Sequence, residues 1–161
     1  MSEIIIREIE PKDNAVVAKM IRDVLVELGA PKVGTAYEDK TLDVLSEVYV
    51  ADRSAYFVLE INGNVVGAAG ISQLENSKDN ICELQKMYFS AESRGKGYGA
   101  KMMQHCLQAA KNFEYDKCYL ETLPYMKSAV KLYERSGFVA LDAPLGNTGH
   151  YSCSEWMLKT L

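Results

Sequence analysis

Apolar positions along this 161-residue chain follow two rhythms. From Ile4 to Ile9 they are dense enough to read as a strand, which Pro11 stops. Beyond it Val17, Met20, Ile21, Val24 and Leu28 recur at helical spacing, with Asp13 placed to cap the helix and Gly29, Pro31 and Gly34 to break it. A shorter helix is predicted over Leu42 to Tyr49. Tyr56–Ile61 and Val65–Ile71 read as a hairpin across Asn62-Gly63-Asn64, because Asn and Gly tolerate positive φ. A strand over Ile81–Phe89 follows. A helix over Gly99–Phe113 then carries Met103, Cys106, Leu107 and Ala110 on one face. The rest reads as a strand at Lys117–Thr122, a helix at Met126–Ser136, and strands at Phe138–Leu141 and Tyr151–Lys159. This order predicts an α/β protein: one mixed sheet of about seven strands, with hairpins early and crossover helices late.

Composition narrows the class. The length fits one domain over residues 1–161, and at 48% apolar and 25% charged the chain is ordinary globular protein. No run approaches the ~20 apolar residues that span a bilayer, and Ile4–Ile6 lacks the flanks of a signal peptide. Cys82, Cys106, Cys118 and Cys153 match neither a zinc pattern nor a C-x-x-C pair. These features predict a cytoplasmic protein with no metal and no membrane partner. The net charge of −4 argues against a nucleic-acid surface.

That charge is unevenly placed. Residues Arg94-Gly95-Lys96-Gly97-Tyr98-Gly99-Ala100-Lys101 hold three cations and no acid, leaving 15 basic against 22 acidic residues elsewhere. The segment follows a strand and opens a helix. Its glycines let the backbone approach an anion, and the helix start offers unpaired N–H groups, so a phosphate or pyrophosphate site is inferred. No Walker loop G-x-x-x-x-G-K-[ST] is present. Gly95-x-Gly97-x-x-Ala100 does fit a dinucleotide fingerprint, with Glu121 near the right distance. Against that reading, Ser90–Arg94 intervene between strand and turn, and the motif sits late in the chain.

The string Arg94-x-x-Gly97-x-Gly99 resembles the acetyl-CoA motif of the GNAT superfamily of N-acetyltransferases. Glu83-Leu84-Gln85-Lys86-Met87-Tyr88-Phe89 resembles its central strand and Cys118–Thr122 the following one. Ala129–Phe138 resembles its late helix and Gly-Phe exit. The elements fall in GNAT order along nearly the whole chain. Within the superfamily the chain looks closest to a group of small bacterial enzymes with this central strand and a late Thr148-Gly149-His150-x-x-Cys153 segment.

The resemblance implies a GNAT fold, its mostly antiparallel sheet splayed between the fourth and fifth strands. It implies acetyl-CoA as acetyl donor and a primary amine as acceptor, with direct attack in a ternary complex. The acceptor is a small molecule or amino acid foremost and a protein amine second, and a homodimer is compatible. The cofactor would lie on Met87, Tyr88 and Phe89 and on the turn Arg94, Gly95, Lys96, Gly97, Tyr98, Gly99 and Ala100. Tyr133 takes the family's general-acid position, although it also falls on an apolar stripe with Met126, Ala129 and Val130 and could be plain core. Glu83, eleven residues before Arg94, takes the general-base position. As an acid between Cys82 and Leu84 it is costly to bury unless paired, and the plainer alternative is an outward or salt-bridged Glu. His150 and Cys153 fall on the acceptor side and could orient the acceptor. A Cys nucleophile with a His base is the ping-pong alternative, and simple turn packing a third. Glu27, Tyr37 and Tyr125 are further acceptor-side candidates. A different class, a non-catalytic acyl-CoA-binding module, would keep the turn without needing Tyr133 or Glu83.

Overall fold

A computed structural model describes residues 3–123, 126–150 and 153–161. Strand β1 (Ile4–Glu8) leads through a 3-10 turn (Pro11–Asp13) into α1 (Asn14–Glu27). Asp13 does not cap this helix, contrary to expectation. Its carboxylate takes both terminal nitrogens of Arg7, at 2.8 and 3.0 Å, and the Glu10 N–H at 2.8 Å. Burial alone would raise the Asp13 pKa, but these bonds to Arg7 and Glu10 outweigh it and hold the group below its usual range.

The helix expected over Leu42–Tyr49 is split into a 3-10 turn (Leu42–Val44) and a single helical turn, α2 (Leu45–Val48), because Val44 leaves helical geometry at φ −135° and ψ 40°. The hairpin joins β2 (Ala55–Ile61) to β3 (Asn64–Gln73). Its loop has two residues rather than three: Asn62 and Gly63 both take positive φ, 51° and 85°, and Asn64 already pairs with Ile61. After β4 (Ile81–Phe89) come α3 (Tyr98–Asn112), β5 (Lys117–Thr122), α4 (Lys127–Arg135), β6 (Val139–Leu141) and β7 (Glu155–Thr160). The last strand was expected from Tyr151. Tyr151 lies outside the described residues, and the strand starts at Glu155.

The seven strands form one sheet in the order β1-β2-β3-β4-β5-β7-β6, antiparallel everywhere except between β4 and β5. One face packs against α1, where Val17, Ile21, Leu25 and Leu42 meet Tyr56 and Val58. The other packs against α3, where Met102, Met103, Cys106 and Ala110 meet Phe57, Leu59, Ile71 and Leu84. The inner strands are therefore apolar on both sides. Gly70 has no room for a side chain: a Cβ there would lie 2.4 Å from the Tyr56 ring and 2.7 Å from the Ala55 carbonyl. Gly70→Ala is expected to lower stability by ~1–3 kcal/mol, the range for overpacking a core, in denaturant melts.

Two irregularities in β4 position the site. The first is its short pairing with β5, which joins only Ile81, Cys82 and Glu83 to Lys117, Cys118 and Tyr119. From Leu84 onward β4 leaves β5, while β5 stays paired to β7 as far as Thr122. The expected splay is therefore present, and it frees backbone groups of β4. The second is a bulge: Ala68 pairs with Tyr88 and Gly70 with Gln85, so two residues of β4 face one of β3. Lys86 takes φ 49° there, and Tyr56 Oη donates to its carbonyl at 2.7 Å. The extra residue switches the alternation of side chains. Cys82 and Leu84 pack on the α3 side, and beyond the bulge it is Met87 and Phe89 that do so.

Candidate active site

A cleft of about 510 Å³ opens where β4 parts from β5. Its floor is Met87, Tyr88 and Phe89, one wall is the Gly-rich turn, and the other is the start of α4. The turn is held from below. Ser93 is buried and its hydroxyl donates to the Ser90 carbonyl at 2.8 Å, while the Ser90 N–H reaches the Val66 carbonyl at 2.9 Å. These bonds explain the five residues between strand and motif. Gly95 and Gly97 take φ 74° and 81°, and a Cβ at either would meet nothing within 4 Å. Gly97 is the N-cap of α3 and, having no side chain, satisfies none of its first N–H groups. The open concave backbone and the helix start fit a pyrophosphate.

Of the ten residues expected to hold the cofactor, nine line this cleft: Lys96 does not, and it is exposed. Arg94 lines it, with Nε donating to the Phe89 carbonyl at 3.1 Å and Nη1 2.7 Å from Glu27 Oε2. Glu27, expected on the acceptor side, pairs with Arg94 of the Gly-rich turn from the end of α1 and lines neither cavity. Lys127, Ser128 and Arg135 also line the cleft and were not anticipated. Lys127 and Arg135 add cations on the α4 wall.

A smaller, deeper cavity of about 50 Å³ adjoins the cleft. Met87, Tyr88, Met126 and Tyr133 line both spaces, so Tyr133 stands at their junction. Its ring is 6% exposed and packs 6.1 Å from Phe138, which makes it core and site at once. Burial, with Cys153 adding, pushes its phenol up to about 12. Glu83 lines only the inner cavity and is 5% exposed. Burial drives its pKa up and Glu121 adds to that, while Gln85, His150 and Lys86 pull it down, leaving it at about 7. A carboxyl with that pKa is half ionised near neutrality, which suits a proton acceptor.

His150 and Cys153 also line the inner cavity. Neither is arranged as a nucleophile pair. His150 Nε2 lies 3.1 and 3.0 Å from the two oxygens of Asp39, whose Oδ2 is also 3.0 Å from Lys86 Nζ. Burial lowers the His150 pKa, but Asp39 more than offsets it and the net direction is upward. The Cys153 thiol is pushed up to about 12 by burial, with Glu121, Glu83 and Asp39 adding to it. It stays protonated and weakly nucleophilic. Tyr37 does not line the cavity although Thr35 and Ala36 beside it do. Its ring is engaged by Lys32 at 5.2 Å and Arg22 at 5.9 Å. Tyr125 lies outside the described residues.

Several groups here escaped the sequence reading. Glu121 lines the cavity and is held by Tyr119 Oη at 2.8 Å and by the Thr148 hydroxyl. Gln85 Nε2 donates to Glu83 Oε1 at 2.6 Å. Asp39 joins the loop after α1 to the segment before β7, across 111 residues of chain. Among the described residues no cluster of acids, histidines or cysteines is arranged to hold a metal. No helix among them is long and apolar enough to cross a membrane.

The splayed sheet, the Gly-rich turn and the joined cavities are the features that the resemblance to N-acetyltransferases implies. Comparison with known proteins makes the class specific. The model of the acetyltransferase (GNAT) family matches residues 22–138, and the chain belongs to that family of acetyl-CoA-dependent acyltransferases. It is 41% identical over 158 residues to the uncharacterized N-acetyltransferase YjgM of Escherichia coli (strain K12), covering 98% of this chain and 95% of that protein. Among solved structures, a GNAT acetyltransferase from Staphylococcus aureus Mu50 superposes with TM-score 0.87 at 20% identity, covering 98% of this chain and 99% of its own. N-acetylglutamate synthase of Neisseria gonorrhoeae, solved with coenzyme A and N-acetylglutamate, superposes with TM-score 0.76 at 17% identity. That match covers 99% of this chain and 35% of the synthase chain.

Proposed function

We propose that the chain transfers an acetyl group from acetyl-CoA to the primary amine of a small molecule, an amino acid foremost, by direct attack in a ternary complex. The observation that carries this is the junction of two cavities at Tyr133, with Glu83 lining the inner one alone. Acetyl-CoA supplies the acetyl group activated as a thioester. The backbone of the turn from Gly95 to Ala100, with Arg94, holds its phosphates, and the freed edge of β4 at Met87 and Phe89 pairs with its arm. Glu83 takes the proton that the acceptor nitrogen gives up. Tyr133 Oη donates a hydrogen bond where the sulfur departs. The amino-acid acceptor is supported by the synthase among the structural relatives, whose complex holds N-acetylglutamate. The protonated Cys153 and the engagement of His150 by Asp39 count against a covalent acetyl-cysteine route.

The test is release of CoA thiol from acetyl-CoA against a panel of amines and amino acids, run beside calorimetric titration of CoA. Turnover with at least one amine is expected. Tight CoA binding with no turnover across the panel would instead support a non-catalytic acyl-CoA-binding module. Arg94→Ala is expected to raise the KM for acetyl-CoA about tenfold, the low end for a lost hydrogen bond to a charged group. The KM for the amine should stay unchanged in the same initial-rate measurements.

A further inference from the structure

Glu83 is held by a chain of two hydrogen bonds that reaches away from the cavity. Gln85 Nε2 donates to Glu83 Oε1 at 2.6 Å, and Tyr49 Oη donates to Gln85 Oε1 at 2.6 Å. Tyr49 follows α2 at the edge of the α1-side core, its ring 5.0 Å from that of Tyr56. Glu83 and Gln85 are two apart in β4, before the bulge, so their side chains leave the same face of the strand.

The direction of this chain is dictated by what each group can do. A carboxylate only accepts, so Gln85 must turn its NH₂ toward Glu83, and its carbonyl oxygen then faces Tyr49. Burial, with the charge of Glu83 adding, raises the Tyr49 phenol well above its ordinary value, so it always has a proton to donate. A flipped amide would set its oxygen against the carboxylate and leave Tyr49 facing an NH₂ group. The second carboxylate oxygen, Oε2, takes no hydrogen bond from the described residues, and Glu83 lines the inner cavity.

We propose that Tyr49 and Gln85 form a one-way hydrogen-bond relay that positions Glu83, fixing Oε1 and leaving Oε2 to receive the proton of the acceptor amine. The proposal rests on Glu83 being the general base. It makes Tyr49, remote from the reacting atoms, a positioning residue. The relay also supplies an N–H that favours the ionised carboxylate against burial. The other groups facing Glu83 are Lys86 on β4, Glu121 and Tyr119 on β5, and His150 and Cys153 before β7. A change at Tyr49 leaves all of them in place.

The test follows the Glu83 carboxyl by ¹³C NMR through a pH titration of the full-length protein. The resonance is assigned by its loss in Glu83→Gln. Tyr49→Phe removes the donor that orients the amide, and Gln85→Met removes the N–H itself. Gln85→Met stands in if Tyr49→Phe does not fold. In Gln85→Met the carboxyl is expected to titrate about one unit higher, the scale of losing a single hydrogen bond to a carboxylate, and in Tyr49→Phe, which keeps that N–H but frees the amide, it is expected to move upward by less. The acid limb of kcat/KM should move with it, and the KM for acetyl-CoA should not change. A carboxyl that titrates within about 0.2 units of the wild type in both variants, a small fraction of that single-bond scale, overturns the relay. If the carboxyl moves but the rate profile does not, the relay stands and it is Glu83 as base that fails.

Discussion

Tyr133→Phe is expected to lower kcat at least about tenfold, the low side of general-acid effects, with acetyl-CoA affinity unchanged. The magnitude follows from where the phenol sits. Tyr133 lines both cavities at their junction, while its ring packs on Phe138. Removing only the oxygen keeps that packing, so the fold and the cofactor cleft should survive. The phenol is pushed up to about 12 by burial. A thiol has a reference pKa near ~8.5, so complete transfer of the phenolic proton to sulfur is strongly uphill. The hydroxyl therefore acts mainly by hydrogen bonding to the charge that develops on sulfur, as preorganised donors do. Two results follow for steady-state kinetics across pH. The loss in Tyr133→Phe should be nearly constant with pH, and it should appear in kcat rather than in the KM for acetyl-CoA. An unchanged kcat would remove Tyr133 from the reaction and leave it as core.

Glu83→Gln is expected to lower kcat/KM for the amine about a hundredfold above pH 7, within the usual range for a positioned base. Its pH signature is the sharper test. A base works only when ionised. With a carboxyl raised to about 7, the wild-type rate should climb with pH through that value and level off above it. Glu83→Gln should lose that inflection. The stability change runs the other way. Between the ordinary carboxylate pKa and its own raised value the folded protein binds the extra proton. Stability contributed by the neutral form is therefore lost as pH rises toward 7. Glu83→Gln removes that loss, so above pH 7 the variant should melt no lower than the wild type. A hundredfold slower protein that is at least as stable separates a catalytic from a structural role.

The parts of the fold that depend on local pattern were legible in the sequence. Helical spacing located α1 and α3, and the Asn-Gly turn located the hairpin, because each is written within a few adjacent residues. The Gly-rich turn was legible for the same reason, and six of its seven assigned residues line the cleft. What escaped was long-range. Glu27 pairs with Arg94 across 67 residues of chain, and Asp39 meets His150 across 111. Periodicity says nothing about which loops come to lie together. The Lys86 bulge escaped because no glycine marks it: its positive φ is carried by a lysine whose carbonyl Tyr56 holds from β2. Asp13 misled for a related reason. Its position suits a cap, but Arg7, one strand earlier, engages the carboxylate instead. Glu83 was suspected from its place in the family resemblance, eleven residues before Arg94, and because an acid between Cys82 and Leu84 is expensive to bury unless paired. The partner that makes its burial tolerable was hidden in the same strand, at Gln85.

The most direct test of the account is a single-turnover experiment. The protein is loaded with acetyl-CoA labelled in the acetyl group and mixed with an amine identified by the thiol-release panel. Products and protein are then read by mass spectrometry. The account predicts that the label appears on the amine nitrogen in step with CoA release, with the mass of the protein unchanged throughout. Label held on the chain at Cys153, or thiol released with no N-acetyl product, would contradict it.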